Sequence, residues 1–225
     1  MSVLDSQPAT PRRGFLSRLA ASSLAITGLA AVARRRLDAA SVHPEELEDE
    51  WLAGVNGTYR QFFDATSVNE GFPFAFAMVF MNTIGETYRA ADKDINAIVG
   101  LRHAAIPLVF NNDIWAKYKL GEMLKIQDPI TKAPAVRNPY AYAKEGELRP
   151  GMAFEKLQAR GVIFTCCNVA LTAMSANAAR RAGLPPEGAK QEWLTGMFTG
   201  VHVVPSGVLA VNRAQKKECT YCFAG

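Results

Sequence analysis

Apolar residues are concentrated in five short runs along the chain, at 72–80, 104–110, 161–168, 201–204 and 218–223. Continuous apolar runs of this length are typical of strands that are buried on both faces of a parallel sheet. Each run except the last is followed by a segment whose apolar spacing or composition favours a helix. These helices are predicted at 84–101, 114–124, 152–160, 169–181, 190–198 and 208–217.

The alternation of strands and helices predicts how the chain folds. Right-handed crossovers between parallel strands place helices over both faces of one sheet. The pattern therefore predicts an α/β fold, a flavodoxin-like three-layer sandwich with a five-stranded, mostly parallel sheet. Aromatic residues from Trp51 to Phe63 at roughly helical spacing predict a further packing helix at about 44–64. Asp113 is the predicted N-cap of the helix at 114–124.

One segment, 125–151, interrupts this alternation. It contains scattered charges and four prolines at 129, 134, 139 and 150, which predict a long loop. Such loops in compact domains are usually lids, interfaces or disordered excursions, and the sequence leaves these three alternatives open. The predicted organisation is therefore an export signal and linker at 1–40, an N-terminal packing helix within 41–71, and an α/β domain at 72–225 that carries this loop.

The first forty residues resemble an export signal. Residues 11–17, PRRGFLS, have the twin-arginine form, and residues 19–33 form an apolar segment that is too short to span a bilayer. Residues 31–33, AVA, fit a small-x-small cleavage pattern, but three arginines follow directly, so cleavage nearer Ala40 is the alternative. We therefore expect recognition by the twin-arginine (Tat) translocase and a periplasmic or otherwise exported location.

Charge narrows the range of partners. Of the 25 basic and 21 acidic residues, six arginines and two aspartates lie within 1–40, so the rest of the chain carries 19 of each and no net charge. Without a basic patch, binding to nucleic acid is not expected. The remaining residues, about 185, suffice for one substantial core. No other apolar run is long enough to cross a membrane, so no transmembrane segment is expected in the mature chain.

The candidate chemistry lies at Cys166, Cys167 and Asn168, where a predicted strand meets an alanine-rich helix. The carboxyl ends of parallel strands form the binding crevice of open α/β sheets. A thiol at a helix start lies near the positive end of the helix dipole, which favours thiolate. Side chains alternate along a strand, so one thiol faces the core while the other can reach the crevice. The alternative is that both thiols are small buried apolar groups.

The other cysteines, Cys219 and Cys222, lie too far apart within an extended strand for a disulfide, about 10 Å. Cys222 is a candidate second thiol if one strand separates it from Cys166. A zinc site from all four cysteines is not expected, because the start of the last strand lies at the opposite end of the sheet from Cys166. The three histidines are scattered, and neither a metal nor a cofactor is predicted.

Two further segments offer polar groups to the same crevice. Pro205, Ser206 and Gly207 stand between a strand and a helix, where they form either an anion-binding nest or simply a tight turn. Asn82 follows the first predicted strand and is expected to line the crevice with them.

Together these motifs resemble the DsrE/DsrF-like family. The resemblance covers about 160–222 and consists of the strand ending Cys-Cys-Asn at 166–168, the segment Val-Val-Pro-Ser-Gly-Val at 203–208, and the closing Gln215 and Tyr221. It implies a small α/β sandwich that assembles into trimers or hexamers. It also implies that Cys166, two residues before Asn168, accepts sulfur as a persulfide. Cys167 stands where the family usually has glycine or alanine.

The expected function is thus that of an exported protein that binds or carries sulfur on a crevice cysteine, or binds a related small ligand. Its expected partners are small sulfur species or a protein sulfur donor or acceptor. Whether it is an enzyme, as a sulfur transferase, is left open. The alternative is a non-catalytic, oligomeric binding protein whose cysteines are structural and whose 125–151 loop forms an interface.

Overall fold

The computed structural model describes residues 50–141 and 150–225. Five strands form one sheet in which every neighbouring pair is parallel, and the strand order is β4-β3-β2-β1-β5. The strands are β1 (Tyr59–Ala65), β2 (Ile95–Leu101), β3 (Ile163–Cys167), β4 (Val201–Val204) and β5 (Thr220–Phe223). The helices are α1 (Phe72–Tyr88), α2 (Asn112–Lys117), α3 (Leu120–Leu124), α4 (Phe154–Ala159), α5 (Asn168–Arg181), α6 (Ala189–Thr195) and α7 (Gly207–Lys216).

Helices cover the sheet on both faces, which confirms the predicted flavodoxin-like three-layer α/β fold. Helices α1, α2, α4, α5 and α6 contribute to the larger core, together with Phe63, Val99 and Phe164 from the sheet. We call this side of the sheet the α1 face. Helix α7 and residues 51–55 pack on the other side, the α7 face, against Phe62 and Ile98.

The face that each helix covers follows from the strand order. From β1 to β4 the chain moves across the sheet in one direction, and it then crosses back past β1 to form β5. Right-handed crossovers in opposite directions must lie on opposite faces. Helix α7, which makes the returning crossover, therefore lies alone among these helices on its own face.

The predicted strand at 72–80 is wrong, because these residues begin helix α1. A continuous apolar run does not distinguish a buried strand from a buried helix. Gly71, with a φ of 81°, and Pro73 in the first turn are typical of a helix start. Phe74, Ala77 and Met81 face the core, whereas Phe76 and Val79 are exposed.

The predicted helices at 44–64 and 84–101 are wrong over the segments that form β1 and β2. Strand β1 lies between β2 and β5, so residues 59–65 belong to the sheet and not to a packing helix. All seven residues of β2 are buried, as expected for a central strand. Residues 50–53 are helical, and residues 44–49 lie outside the described part of the chain.

The predicted strand at 104–110 is also wrong, since His103–Val109 forms 3-10 turns that contain Pro107. The next helix is capped by Asn111 rather than by Asp113. The Asn111 side chain accepts a hydrogen bond from the Ile114 amide at 3.1 Å, and α2 begins at Asn112.

In the C-terminal half, the predicted strands and helices are confirmed. Strands β3, β4 and β5 lie within the predicted runs, and α5 and α7 match the predicted helices to within one residue. Helix α4 lies inside its predicted range, and α6 begins one residue before its predicted start and ends three residues before its predicted end. Gly161 follows α4 with a φ of 89°, the left-handed conformation that glycine adopts at helix ends.

The described part of the long loop, residues 125–141, packs against the domain. Gln127 and Pro134 form an antiparallel bridge. The side chain of the buried Asn138 donates hydrogen bonds to the backbone oxygens of Leu108 and Phe110, each at 2.9 Å. This part of the loop is therefore an ordered wall of the domain. Residues 142–149 and the expected signal at 1–40 lie outside the described residues.

Within the described ranges, no helix is long and apolar enough to cross a membrane.

Candidate functional site

The candidate site lies at the carboxyl edge of the sheet, on the α7 face. Phe62 and Ile98 point to this face. Because side chains alternate, Asp64 and Arg102 point the same way, and Arg102 continues the extended backbone one residue beyond β2 with a φ of −138°. Leu101 pairs with Cys166, so Arg102 and Cys167 are next in register on adjacent strands.

Asp64 and Arg102 form a bidentate ion pair. The Nε and Nη2 atoms of Arg102 donate to the two carboxylate oxygens of Asp64 at 2.8 and 2.9 Å, and the Tyr221 hydroxyl donates to Oδ2 at 2.9 Å. The side chain of Asp64 is only 3% exposed, whereas that of Arg102 is 31% exposed. The buried carboxylate is thus compensated, as a buried charge requires.

The pKa values of both hydrogen-bond donors in this cluster, Arg102 and Tyr221, are raised by their surroundings. The hydrogen bond to Asp64 is the main cause that raises the pKa of Arg102, and the nearby Tyr221 and Cys167 add to it. The pKa of Tyr221 is raised by burial first, and then by its hydrogen bond to Asp64. At neutral pH, Arg102 is therefore a cation and Tyr221 a neutral hydroxyl.

A small crevice of about 290 Å³ opens beside this cluster, between the sheet edge and α7. Its volume lies at the lower end of the range for small-molecule sites. It is lined by Asp64, Arg102, Val208, Val211, Gln215 and Tyr221. The crevice thus combines a cation, a hydroxyl and an amide with two apolar side chains.

Cys167 does not line this crevice, but it lies next in register to Arg102 on the neighbouring strand. It is the last residue of β3 and the N-cap of the 14-residue helix α5, and its Sγ accepts a hydrogen bond from the Ala170 amide at 3.4 Å. Cys167 is 6% exposed. The helix N-terminus and the nearby Arg102 guanidinium give this sulfur positively charged surroundings.

Cys166 lies on the α1 face, in the larger core, and has no exposed surface. Burial raises its pKa above the usual range of a thiol, and Cys167 adds to the shift. A buried neutral thiol in apolar surroundings is a poor nucleophile. The structure therefore places the expected sulfur acceptor in the core, whereas its neighbour Cys167 pairs with Val204 and lies on the α7 face.

The structure brings the 205–207 turn to the same place. Val204 pairs with Cys167 across adjacent strands, and Ser206 is the N-cap of α7. A Cβ atom on Gly207 would lie 2.7 Å from Cβ of Arg102, so glycine is needed here for close approach to that side chain. Asn168 begins α5 directly after Cys167 and is half-buried.

Asn82 does not belong to this site. It lies in the second half of α1 and accepts a hydrogen bond at 2.7 Å from Arg160, which also pairs with Asp92. Arg160 and Asp92 precede β3 and β2, so Asn82 lies at the amino edge, opposite the crevice. The expectation that it lines the crevice is wrong, because the segment before it is a helix.

Cys222 is also distant from the thiol pair. Two strands, not one, separate β5 from β3, and three spacings of roughly 4.8 Å put Cys222 about 14 Å from that strand. Cys222 packs on the α1 face. A disulfide with Cys167 is excluded in this arrangement. All four cysteines are free.

Sequence reasoning missed Asp64 and Arg102. Both lie at the end of strands that the apolar pattern did not predict as strands. A correct prediction of β1 and β2 is the signal that would have identified them, since polar residues at the carboxyl ends of buried strands are typical of sites. Gln215 and Tyr221 were noted only as motif residues. In residues 50–141 and 150–225, no group of three or more His, Cys, Asp or Glu side chains is arranged to hold a metal.

Comparisons with protein-family models, curated proteins and solved structures found no significant match for this chain. The resemblance to the DsrE/DsrF-like family thus rests on the motifs within 160–222 and stays a prediction.

Proposed function

We propose that the protein binds a small sulfur-bearing anion in the crevice beside Arg102 and carries its sulfur on Cys167. The observation that supports this most is the position of the Cys167 sulfur. It lies at the start of α5, accepts a hydrogen bond from the Ala170 amide, and interacts electrostatically with the Arg102 guanidinium. An electropositive environment of this kind is typical of reactive cysteines.

The chemical step is a thiol exchange that conserves electrons. The Cys167 thiolate attacks the outer sulfur of a persulfide or polysulfide donor, the donor's S–S bond breaks, and a new S–S bond forms on Cys167. The donor leaves as a thiolate, and the proton from Cys167 passes to solvent. In the second exchange, a thiolate of a protein acceptor attacks the outer sulfur on Cys167, and Cys167 leaves as a thiolate. Neither exchange needs an external oxidant or reductant.

Arg102 and the residues around it have distinct roles in this proposal. Its guanidinium attracts the anionic donor, while Asp64 holds that guanidinium through two hydrogen bonds. Tyr221 and Gln215 supply a hydroxyl and an amide at the rim of the crevice. Cys167 is only 6% exposed, so the donor reaches its sulfur only when neighbouring side chains open a path to it.

The proposal keeps the cellular setting that the sequence predicts. Export through the Tat translocase rests on residues 11–33, and assembly into trimers or hexamers rests on the family resemblance. In that setting the protein meets sulfur donors outside the cytoplasm.

Mass spectrometry of the intact protein after exposure to polysulfide tests the proposal. The wild type is expected to gain a sulfur adduct that is lost with cyanide, because cyanide removes sulfane sulfur. Cys167→Ala should abolish the adduct, whereas Cys166→Ala and Cys222→Ala, the matched controls, should retain it. An adduct that persists in Cys167→Ala and disappears in Cys166→Ala contradicts the assignment.

A second candidate function is a non-catalytic, oligomeric binding protein with structural cysteines. The burial of both Cys166 and Cys167 favours it, since buried free cysteines commonly act as small apolar groups. In that case no adduct forms on any variant, and deletion of residues 142–149 within the loop changes the oligomer size in analytical ultracentrifugation.

A further inference from the structure

A second, larger cavity lies at the carboxyl edge, on the α1 face. Its volume is about 590 Å³, within the range of small-molecule sites. Three segments form its walls: residues 67–70, which follow β1, residues 124–129 with Lys132, and residues 139–140. None of these residues belongs to the crevice beside Arg102, which opens on the α7 face.

The position of this cavity agrees with how open α/β sheets bind ligands. Ligands of such sheets bind in the crevice beyond the carboxyl ends of the strands. Residues 67–70 follow β1 directly, so this wall of the cavity lies at the carboxyl edge.

The outer wall of the cavity is held in place by a buried carboxylate. Asp128 is 3% exposed and accepts hydrogen bonds from the Ile130 and Thr131 amides at 2.9 and 3.0 Å. Arg137 donates to its other oxygen at 2.7 Å. With the bridge between Gln127 and Pro134, these bonds make the wall a fixed hairpin.

Several non-glycine residues around the cavity adopt backbone conformations of high energy. Asn69, Glu70, Lys125 and Lys132 have φ values of 42°, 51°, 57° and 60°, in the left-handed region that non-glycine residues seldom occupy. They are four of the eight such residues in the described part of the chain. Backbone strain of this kind concentrates at ligand clamps, and here half of it lies around one cavity.

The charges around the cavity indicate the class of ligand. Lys125 and Lys132 are exposed on its walls, and Glu70 is the opposing carboxylate. The charge of Asp128 is already compensated by Arg137. One positive charge is therefore left over, which matches a ligand with a single negative charge.

The apolar part of the lining indicates the body of that ligand. Val68, Leu124, Ile126 and Tyr140 present apolar surface to the cavity. Tyr140 is half-buried, and burial raises its pKa to about 12, so its hydroxyl stays protonated and can donate a hydrogen bond. We propose that this cavity binds a small organic carboxylate with an apolar body, with its carboxylate between Lys125 and Lys132.

Isothermal titration calorimetry on the full chain tests this proposal with phenylacetate and hexanoate as probes. Each carboxylate is compared with its neutral amide, phenylacetamide or hexanamide, which keeps the shape and removes the charge. We expect the carboxylates to bind, and the amides to bind roughly five- to tenfold more weakly, since two exposed cations contribute.

Two variants and one control locate the binding. Lys125→Gln with Lys132→Gln is expected to weaken carboxylate binding by roughly five- to tenfold and to leave amide binding unchanged. Ala104 also lines the cavity, so Ala104→Leu, which fills part of its volume, should abolish the binding of both carboxylates and amides. Lys93→Gln, an exposed lysine at the amino edge, is the matched control and should bind like the wild type.

The proposal is overturned if no carboxylate binds, if the amides bind equally well, or if the double lysine variant and Lys93→Gln behave alike. Both lysines of the double variant are exposed, so the comparison of this variant with Lys93→Gln stays decisive even if Ala104→Leu does not fold.

Discussion

At the residue scale, Arg102 connects the two parts of the candidate site. It pairs with Asp64 through two hydrogen bonds, lies beside Cys167, and is covered by Gly207. The buried Asp64 carboxylate depends on this partner, because an uncompensated buried charge is strongly destabilising. Arg102 therefore has a structural role as well as the proposed role of attracting the ligand.

Replacing Arg102 is expected to lower stability measurably. Within the described residues, Arg102→Met leaves the Asp64 side chain with Tyr221 as its partner, and the free energy of unfolding should fall by about 2 kcal/mol in urea denaturation. Arg60→Met is the matched control, since Arg60 pairs with Glu218, which is 80% exposed, and should change it by less than about 0.5 kcal/mol. Equal effects of the two substitutions would contradict this account of Asp64.

The carboxylate of Asp128 makes stability depend on pH. The backbone hydrogen bond from Thr131 is the main cause that lowers its pKa from 3.8 to about 2. A folded-state pKa below the unfolded value means that the stabilisation is present above pH 4 and is lost as pH falls toward 2. Between pH 5 and pH 2.5, wild type should lose about 1–2 kcal/mol more than Asp128→Asn.

Chemical denaturation at the two pH values measures this difference. Asp113→Asn, which changes an exposed carboxylate in the first turn of α2, serves as the control and should follow the wild type. If Asp128→Asn loses as much stability as the wild type, Asp128 is not the group responsible.

At the element scale, the junction between β4 and α7 is limited by space. The Cβ of alanine at 207 would meet the Cβ and Cδ of Arg102 at 2.7 and 2.9 Å. Either α7 or the guanidinium must therefore move. Helix α7 also forms one wall of the crevice, so a shift of this helix would change the crevice.

Gly207→Ala is therefore expected to destabilise the protein by about 1–2 kcal/mol and to slow sulfur uptake. Gly85→Ala is the matched control in α1, where the new Cβ would lie 3.5 Å from the backbone oxygen of Ala90, an ordinary contact. That substitution should stabilise the protein by about 0.5–1 kcal/mol, since alanine favours a helix. Thermal unfolding compares the two variants, and stabilisation by both would refute the proposed crowding at Arg102.

At the scale of the whole molecule, the strands of the sheet differ in how well their backbone amides are shielded from solvent. Strand β2 pairs on both sides and is fully buried, whereas β5 is an edge strand with Tyr221 and Phe223 46% and 57% exposed. Backbone amides open by local unfolding most readily where few apolar contacts hold them. The stability of the candidate site is thus lowest at Tyr221.

Hydrogen exchange followed by mass spectrometry should therefore find β2 the slowest to exchange and β5 among the fastest. Equal protection of β2 and β5 would mean that β5 is covered in solution, as pairing with a second copy would do. Repeating the measurement at low and high protein concentration separates the two cases, because protection by a second copy increases with concentration.

Much of the fold follows from local sequence alone. Strands β3, β4 and β5 and the helices from α4 onward were predictable because short apolar runs there are bounded by Gly161, Gly200 and Pro205, and separated by helix-favouring segments. The class of fold followed from that alternation. The N-terminal half was not predictable in the same way, because the apolar run at 72–80, FPFAFAMVF, is equally typical of a buried strand and of a buried helix.

The site depended on tertiary structure. Which of Cys166 and Cys167 faces the α7 side of the sheet is decided by the pleat of β3 relative to β2, and a shift of one residue reverses it. Asp64 contacts Arg102, 38 residues away in sequence, and Tyr221, 157 residues away, because strand pairing brings these residues together. The sequence alone thus determined the α/β class, the candidate thiols and the 205–207 turn, while packing decided which thiol lies on the same face as the crevice and which charges line it.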